Sequence, residues 1–490
     1  MLKSISSFFK NQFFLVIFAG DKFRIKSTII LGILSSSIIT FLLHEQIQRV
    51  SSRPGIDENW MLRNYFTNQL NSILNGRLDV ESNAAWGECF NVNELCYGYH
   101  GITPSLLRLP LIAVFKWQGF TDQMIVLSLV VSILSSLLVV NSLWTIFHKN
   151  FTGSSRNYSR TIFLVVLLSA SLGNLAMQAA LPSGYWEAIA WGYAFSILGI
   201  LFTLVWYCNR IKIFLVLTLI SFILGANSRM TSAITAFFVG IVVIGVARKH
   251  PNLKLSSRDF ILGLSIAFIP VLTIILVFYL KFGTFLPDYF LHQQIPENPF
   301  WANIMNLNGN KTTGLIFLTS NIVAYFRPDS IIIDGTSVLF VRPTMDSYSY
   351  IWPLKKDGMY FESSSSVSSL IPIFVVMFIV FVSLNVIWWK DLKREINQPI
   401  ESDLNFLRYM VFASSACILL PLIYVGNSNR YLVDFGPAVL LILTLGSLLF
   451  DKFILNNKWS RKILPTILIT FCLYGCFLNL MLVRTLGRSF

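Results

Sequence analysis

The sequence predicts an all-α polytopic membrane protein, a bundle of about eleven transmembrane helices with two large loops on its outer face. Hydrophobic residues make up 54% of the chain and charged residues only 13%, where soluble domains carry roughly 25% charged residues. The mean hydropathy of +0.64 is matched by apolar runs approaching the ~20 residues that a helix needs to cross a bilayer. A net charge of +14 does not indicate nucleic acid, because Lys and Arg are scattered through short loops instead of clustering on one soluble face.

The N-terminal stretch 1–26 is basic, with Lys3, Lys10, Lys22, Arg24 and Lys26. Its apolar run FFLVIFAG is too short to cross a bilayer and is followed by no small-residue cleavage site, so it reads as an interfacial helix. The first span covers 27–45. A polar loop, 46–121, follows; within it 105–118 is broken by Arg108, Pro110 and Lys116 and reads as a helix lying along the membrane face. Six spans are expected in 122–280, near 122–147, 160–180, 186–206, 211–226, 230–247 and 259–280. The second long loop, 281–369, is rich in aromatics such as Tyr289, Trp301, Tyr325, Tyr350 and Trp352, which argues for a small folded cap and against disorder. Four spans in 370–490 complete the bundle, near 370–389, 408–425, 432–450 and 463–482.

Cations set the orientation. With the N-terminus in the cytoplasm, the inner loops hold Lys149, Arg210, Lys212, Arg248, Lys249, Lys393 and Arg394 among many others, as the positive-inside rule requires. Both long loops then face outward from a multi-pass protein of the cytoplasmic membrane. Cys208, Cys417, Cys472 and Cys476 fall in or beside apolar spans, where a thiol behaves as a small hydrophobe. Cys89 and Cys96 share the first outer loop and can pair if it faces an oxidising compartment.

The candidate chemistry gathers at the outer ends. Asp57 and Glu58 follow the first span closely and should be held near the membrane surface. They read either as caps of a helix starting near Asn59 or as a general base that deprotonates an acceptor hydroxyl. Arg229 stands between two apolar stretches, where it either snorkels to headgroups or uses its bidentate guanidinium on a phosphate. Arg430 lies on the equivalent face, four residues before Asp434, so an ion pair on one helix face and a phosphate contact are both open. Lys281 reads as a headgroup anchor or phosphate ligand, and Arg327, in YFRPD, as a turn residue or a further phosphate ligand. Tyr97, Tyr99 and His100 offer a stacking surface for a sugar ring, and Glu187, beside Trp186 and Trp191, a wall of the same cavity. The sequence carries no H-E-x-x-H, no zinc-spaced cysteines and no phosphate loop, so no metal site is assigned and nucleotide-driven transport has no support.

The order of these features carries a resemblance. An acidic pair opening the first outer loop precedes NGRLDV (75–80), an aromatic-Gly-aromatic stretch and PSLLRLP (104–110). PSGYWEAIAWGYAF (182–195), GANSRMTSAITA (225–236) and NRYLVDFGPAVLLIL (429–443) follow. This arrangement resembles the GT-C superfamily of integral membrane glycosyltransferases, in particular bacterial members related to protein O-mannosyltransferases and lipid A aminoarabinose transferases. The resemblance implies transfer of a sugar from a polyprenyl-phosphate donor to a glycan, lipid or protein acceptor. It implies Asp57, with Glu58 beside it, as the catalytic base or metal-associated acid, and the phosphate reading of Arg229, with Arg430 beside it, fits such a donor. A divalent cation bridging Asp57 and the donor phosphate is compatible with it, although the residues do not demand one. A transporter or flippase of lipid-linked glycans, or a polymerase, is the competing expectation.

Overall fold

In the computed structural model the described residues are 21–52, 62–85, 90–115, 121–148, 156–173, 175, 179, 183–249, 257–285, 313–327, 331–334, 340–343, 360–361, 366–383, 398–424, 426–427, 429–453 and 458–489. The expected interfacial run 13–20, Cys89 and the Asp57–Glu58 pair lie outside them. Helices dominate. In order they are α1 (Lys22–Ser51), α2 (Tyr65–Leu74), α3 (Thr103–Leu106), α4 (Leu109–Phe115), α5 (Thr121–His148) and α6 (Arg156–Leu168). There follow α7 (Gly184–Asn209), α8 (Ile213–Ala226), α9 (Thr231–Lys249), α10 (Ser257–Phe282), α11 (Leu318–Phe326) and α12 (Val367–Leu370). The chain continues through α13 (Pro372–Val382), α14 (Gln398–Ser415), α15 (Leu419–Ile423), α16 (Gly436–Phe453) and α17 (Lys458–Ser489). Strands are confined to short pairs: β1 (Phe90–Val92) with β2 (Leu95–Tyr97), β3 (Ile331–Asp334) with β4 (Phe340–Pro343), and β5 (Tyr360–Phe361) with β6 (Gly426–Asn427).

This is an all-α multi-pass membrane protein. Among the described residues seven helical stretches are long and apolar enough to cross a membrane: Lys22–Arg49, Asp122–Thr145, Gly184–Asn209, Ser257–Phe282, Asp403–Ile423, Tyr431–Phe450 and Ile463–Val483. The runs expected as full spans near 160–180, 211–226, 230–247 and 370–389 contain shorter apolar helices, Tyr158–Gly173, Ile213–Ala226, Thr231–Gly245 and Pro372–Val382. Winding changes in several places: α6 runs into a π-helical turn at Ser169–Gly173, a 3-10 turn, Ala416–Ile418, separates α14 from α15, and 3-10 turns lead into α11 and α16.

Helix α7 sits at the centre, packed on α5, α8 and α9. It starts at Ser183, whose hydroxyl accepts the Trp186 N–H at 3.4 Å; such a cap satisfies one of the helix's four open N–H groups. It ends where Arg210 turns left-handed at φ 57°, which leaves the guanidinium over the Trp206 and Tyr207 rings at 5.1 and 4.5 Å. At this end the Tyr207 hydroxyl donates to Asp403 at 2.7 Å and its ring stacks on Phe406 at 3.8 Å, tying α7 to α14. Between the ends the core is aliphatic and aromatic, with Trp144 and Phe163 edge to face at 5.3 Å and Trp206, Phe214 and Phe222 fully enclosed. Since serine and threonine hydroxyls inside such a bundle must find partners, Ser136 bonds Tyr193 at 2.8 Å and Ser196 bonds Ser232 at 2.8 Å across helices.

Candidate functional site

The polar residues gather where α7 begins, α8 turns into α9, and α10 ends. The chain from Gly98 to Thr103 lies across the turn between α8 and α9, with the Thr103 N–H donating to Asn227 O at 2.9 Å. Glycine is required at position 101, because a Cβ there would stand 1.8 Å from that same Asn227 oxygen. At Gly192 on α7 a Cβ would stand 2.4 Å from the Cβ of Arg229, so the missing side chain is what lets the arginine pass.

Arg229 projects from the turn toward the 3-10 helix Asn429–Phe435 that leads into α16. Its Nη2 donates to Asp434 Oδ2 at 2.7 Å and its Nε to Oδ1 at 3.2 Å. The Thr231 hydroxyl donates to Oδ1 at 2.8 Å, and the Cys417 thiol to the Asp434 carbonyl at 2.8 Å. The guanidinium lies over the Tyr431 ring at 5.3 Å, and Tyr99 is close enough to act on it electrostatically. Burial opposes the positive charge, but the Asp434 carboxylate outweighs it and holds the arginine's pKa above its ordinary value. The Arg229 side chain keeps 18% of its surface exposed, against 4% for Asp434, so the arginine is the member that a ligand can still touch. Behind the pair, Tyr193, Ser196, Ser232, Thr235 and Asp434 line a polar cavity with room for about one water molecule.

The Arg430 side chain, read as open to either an ion pair with Asp434 or a phosphate contact, lies outside the described residues. The Asp434 carboxylate accepts from Arg229 and Thr231.

Lys281, expected at a phosphate, is 2% exposed at the end of α10. Its ammonium donates to the carbonyls of His100 at 2.5 Å and Gly98 at 3.1 Å. The Gln69 amide, oriented from its neighbours, turns its oxygen to the same ammonium at 3.2 Å and donates to Ser105 Oγ at 2.6 Å and Gly101 O at 3.3 Å. Lys281 thus pegs the Gly98–Gly101 turn in place. His100 is enclosed by Tyr99, Tyr65, Tyr185 and Phe66, with ring centroids 4.3, 5.5, 5.6 and 5.7 Å away, and at 5% exposure presents little surface for stacking on a sugar. Tyr97 is more open; burial, then the Asp79 carboxylate, pushes its phenol above the ordinary value, with Arg77 opposing.

Glu187, expected on the cavity wall, is fully buried in the first turn of α7. Both its oxygens are taken by Arg108, at 2.6 and 2.8 Å, and Arg108 also donates to Pro104 O at 2.7 Å. The pair clamps the α3–α4 segment onto α7. Arg327 caps α11, whose Tyr325 and Phe326 rings pack on Phe435 at 5.0 and 5.7 Å, one residue beyond Asp434. Arg63 fixes the chain that follows the acidic pair, with its Nε 2.8 Å from Asp122 Oδ1 and its Nη2 2.5 Å from Oδ2, at the start of α5.

Of the expected residues, Arg229 and Tyr99 are brought together, with Lys281 and His100 supporting them from behind. Sequence reasoning missed Asp434 as the partner of Arg229, Arg108 as the partner of Glu187, and Gln69 altogether. The available signal was chemical: a buried charge demands an opposite charge, and Asp434 and Arg108 also stand in apolar surroundings. Among the described residues no group of three or more His, Cys, Asp or Glu is arranged to hold a metal ion. No family model matches the chain, and no curated protein matches it.

Proposed function

We propose that the protein is a membrane glycosyltransferase that moves a sugar from a polyprenyl-phosphate donor to an acceptor on the outer face of the cytoplasmic membrane. One observation carries the reading: Arg229, the partly exposed member of a braced ion pair at a bundle end, beneath a docked polar loop. In this reading Arg229 meets the donor phosphate through Nη1, which its two bonds to Asp434 leave aside. Asp57 or Glu58 takes the proton from the acceptor hydroxyl as its oxygen bonds to the anomeric carbon. The bond from that carbon to the phosphate oxygen breaks on the opposite side, with inversion. As it breaks, negative charge grows on the phosphate, and a fixed arginine in a water-poor site is worth more to that state than to the bound donor.

The proposed orientation puts the N-terminus in the cytoplasm and 46–121 and most of 281–369 outside, with the shorter apolar helices bringing the bundle to about eleven spans. The disulfide at Cys96 supports that side, since such bonds persist in oxidising compartments. The deciding experiment assays membranes for transfer from a polyprenyl-linked sugar, with Asp57→Asn and Glu58→Gln tested separately. Loss in one variant identifies the base, and full activity in both removes it.

Transport of a lipid-linked glycan is the second reading. It draws on the interruption of the span Asp403–Ile423 by the 3-10 turn at Ala416–Ile418, beside Asp434, because transporters place broken helices at their sites. Movement of a labelled lipid-linked glycan across liposomes lacking any acceptor favours this reading.

A further inference from the structure

We propose that the segment Gly314–Phe326 is re-entrant: it dips into the bilayer and lays one face against lipid acyl chains, rather than belonging to a solvated cap. The inference rests on the multi-pass architecture alone and holds whichever reaction the protein performs. From Leu315 to Phe326 the chain forms a 3-10 turn and α11 with no charged residue in it. At 1.5 Å per residue it reaches only about 18 Å, well short of the ~30 Å hydrocarbon core. It enters without crossing.

The exposed side of this short element is mainly apolar, interrupted by Thr319. One face buries Phe317, Ala324 and Tyr325 against the protein. The other exposes Leu315 at 78%, Ile322 at 42% and Ile316 at 41%. An uncharged helix that buries one side and exposes large aliphatic side chains on the other presents apolar surface that lipid can cover. The span it packs against likewise leaves large apolar side chains uncovered, Leu419 at 54% and Phe412 at 67% exposed.

The backbone gives the second, independent observation. In hydrocarbon every open N–H and C=O must be satisfied from within the protein. Where α15 ends, Asn321 donates to the carbonyls of Tyr424, Leu422 and Pro421 at 2.8, 3.1 and 3.2 Å, and the Gly314 N–H takes Ile423 O at 2.8 Å. Where α11 ends, the Ser368 hydroxyl donates to Phe326 O at 2.7 Å and the Ser366 hydroxyl to Arg327 O. Water would serve these carbonyls at no cost on a solvated cap. Sealing them with side chains is what a membrane-embedded helix end requires.

The test uses the full chain in liposomes, with nitroxide labels at Leu315→Cys or Ile322→Cys in a Cys208→Ser background, since Cys208 is the exposed free cysteine among the described residues. Leu272→Cys, on the span α10, is the lipid-facing reference, and Glu81→Cys, exposed in the first polar loop, the water-facing one. Collisions with oxygen, which enters lipid, and with a water-soluble nickel chelate are measured at each site. The proposal expects Leu315→Cys and Ile322→Cys to match Leu272→Cys, with high oxygen collisions and loss of nickel collisions. Nickel collisions equal to those at Glu81→Cys would overturn it in favour of a solvated cap. Low collisions with both reagents would overturn it in favour of a protein-covered face. Thermal melting matched to the Cys208→Ser parent checks that the substitutions, at exposed positions, leave the fold intact.

Discussion

Arg229 and Asp434 stand 205 residues apart in the chain and meet as a two-pronged ion pair, Nη2 to Oδ2 at 2.7 Å and Nε to Oδ1 at 3.2 Å. The pair joins the α8–α9 turn to the entrance of α16. Its energetic worth is measured without reference to any reaction, by thermal unfolding of Arg229→Ala, Asp434→Ala and the double variant in detergent. Groups that share hydrogen bonds couple by about 0.5–3 kcal/mol, so the double variant is expected to lose less than the two singles together. Strict additivity would show that the two side chains act separately.

Arg108 and Glu187 are 1% and 0% exposed, so neither charge has water to fall back on. Replacing Glu187 with Gln leaves a buried guanidinium short of its counter-charge, a change that costs about 3–5 kcal/mol. Exchanging both residues at once, Arg108→Met with Glu187→Leu, is expected to recover most of that loss. Denaturant titration checks both; a single variant as stable as the parent would mean that the clamp does not hold the α3–α4 segment.

Lys281→Met removes the donor shared by the carbonyls of His100 and Gly98. Each buried carbonyl left open costs about 1–3 kcal/mol, and the loss should be local. Amide exchange across residues 97–106 is expected to rise while exchange along α5 stays at the parent rate. An unchanged rate in the loop is the outcome that contradicts the peg.

Cys96 is disulfide-bonded, whereas Cys208 is free and exposed. A thiol-directed label on the unfolded protein is expected to reach Cys96 only after reduction, and Cys208 before it. Label on Cys96 without reductant would remove the support that the disulfide lends to an outward-facing loop.

Much of the architecture could be read from residue order alone. Long apolar runs became helices, and Arg229 stood out because a charge between apolar stretches is costly. The readings that differ from the structure each depend on a distant neighbour. Glu187 reads in the sequence as a cavity residue because its partner Arg108 lies 79 residues away, in a segment whose sequence indicates a broken helix along the membrane face. Lys281 reads in the sequence as a headgroup anchor or phosphate ligand because backbone carbonyls, which leave no mark in sequence, are what it holds.

The sequence by itself determined that this chain is a membrane-embedded helical bundle with polar segments between its spans, because bilayer partition sums residue by residue along each run. Only the tertiary structure decided which charges meet, which loop is pegged to which helix, and which short apolar helix has an uncovered face. Helices that are apolar on every side carry no stripe to announce their inward face. Their neighbours are selected by close packing and by the demand that every buried polar group find a partner, and both are properties of the assembled bundle.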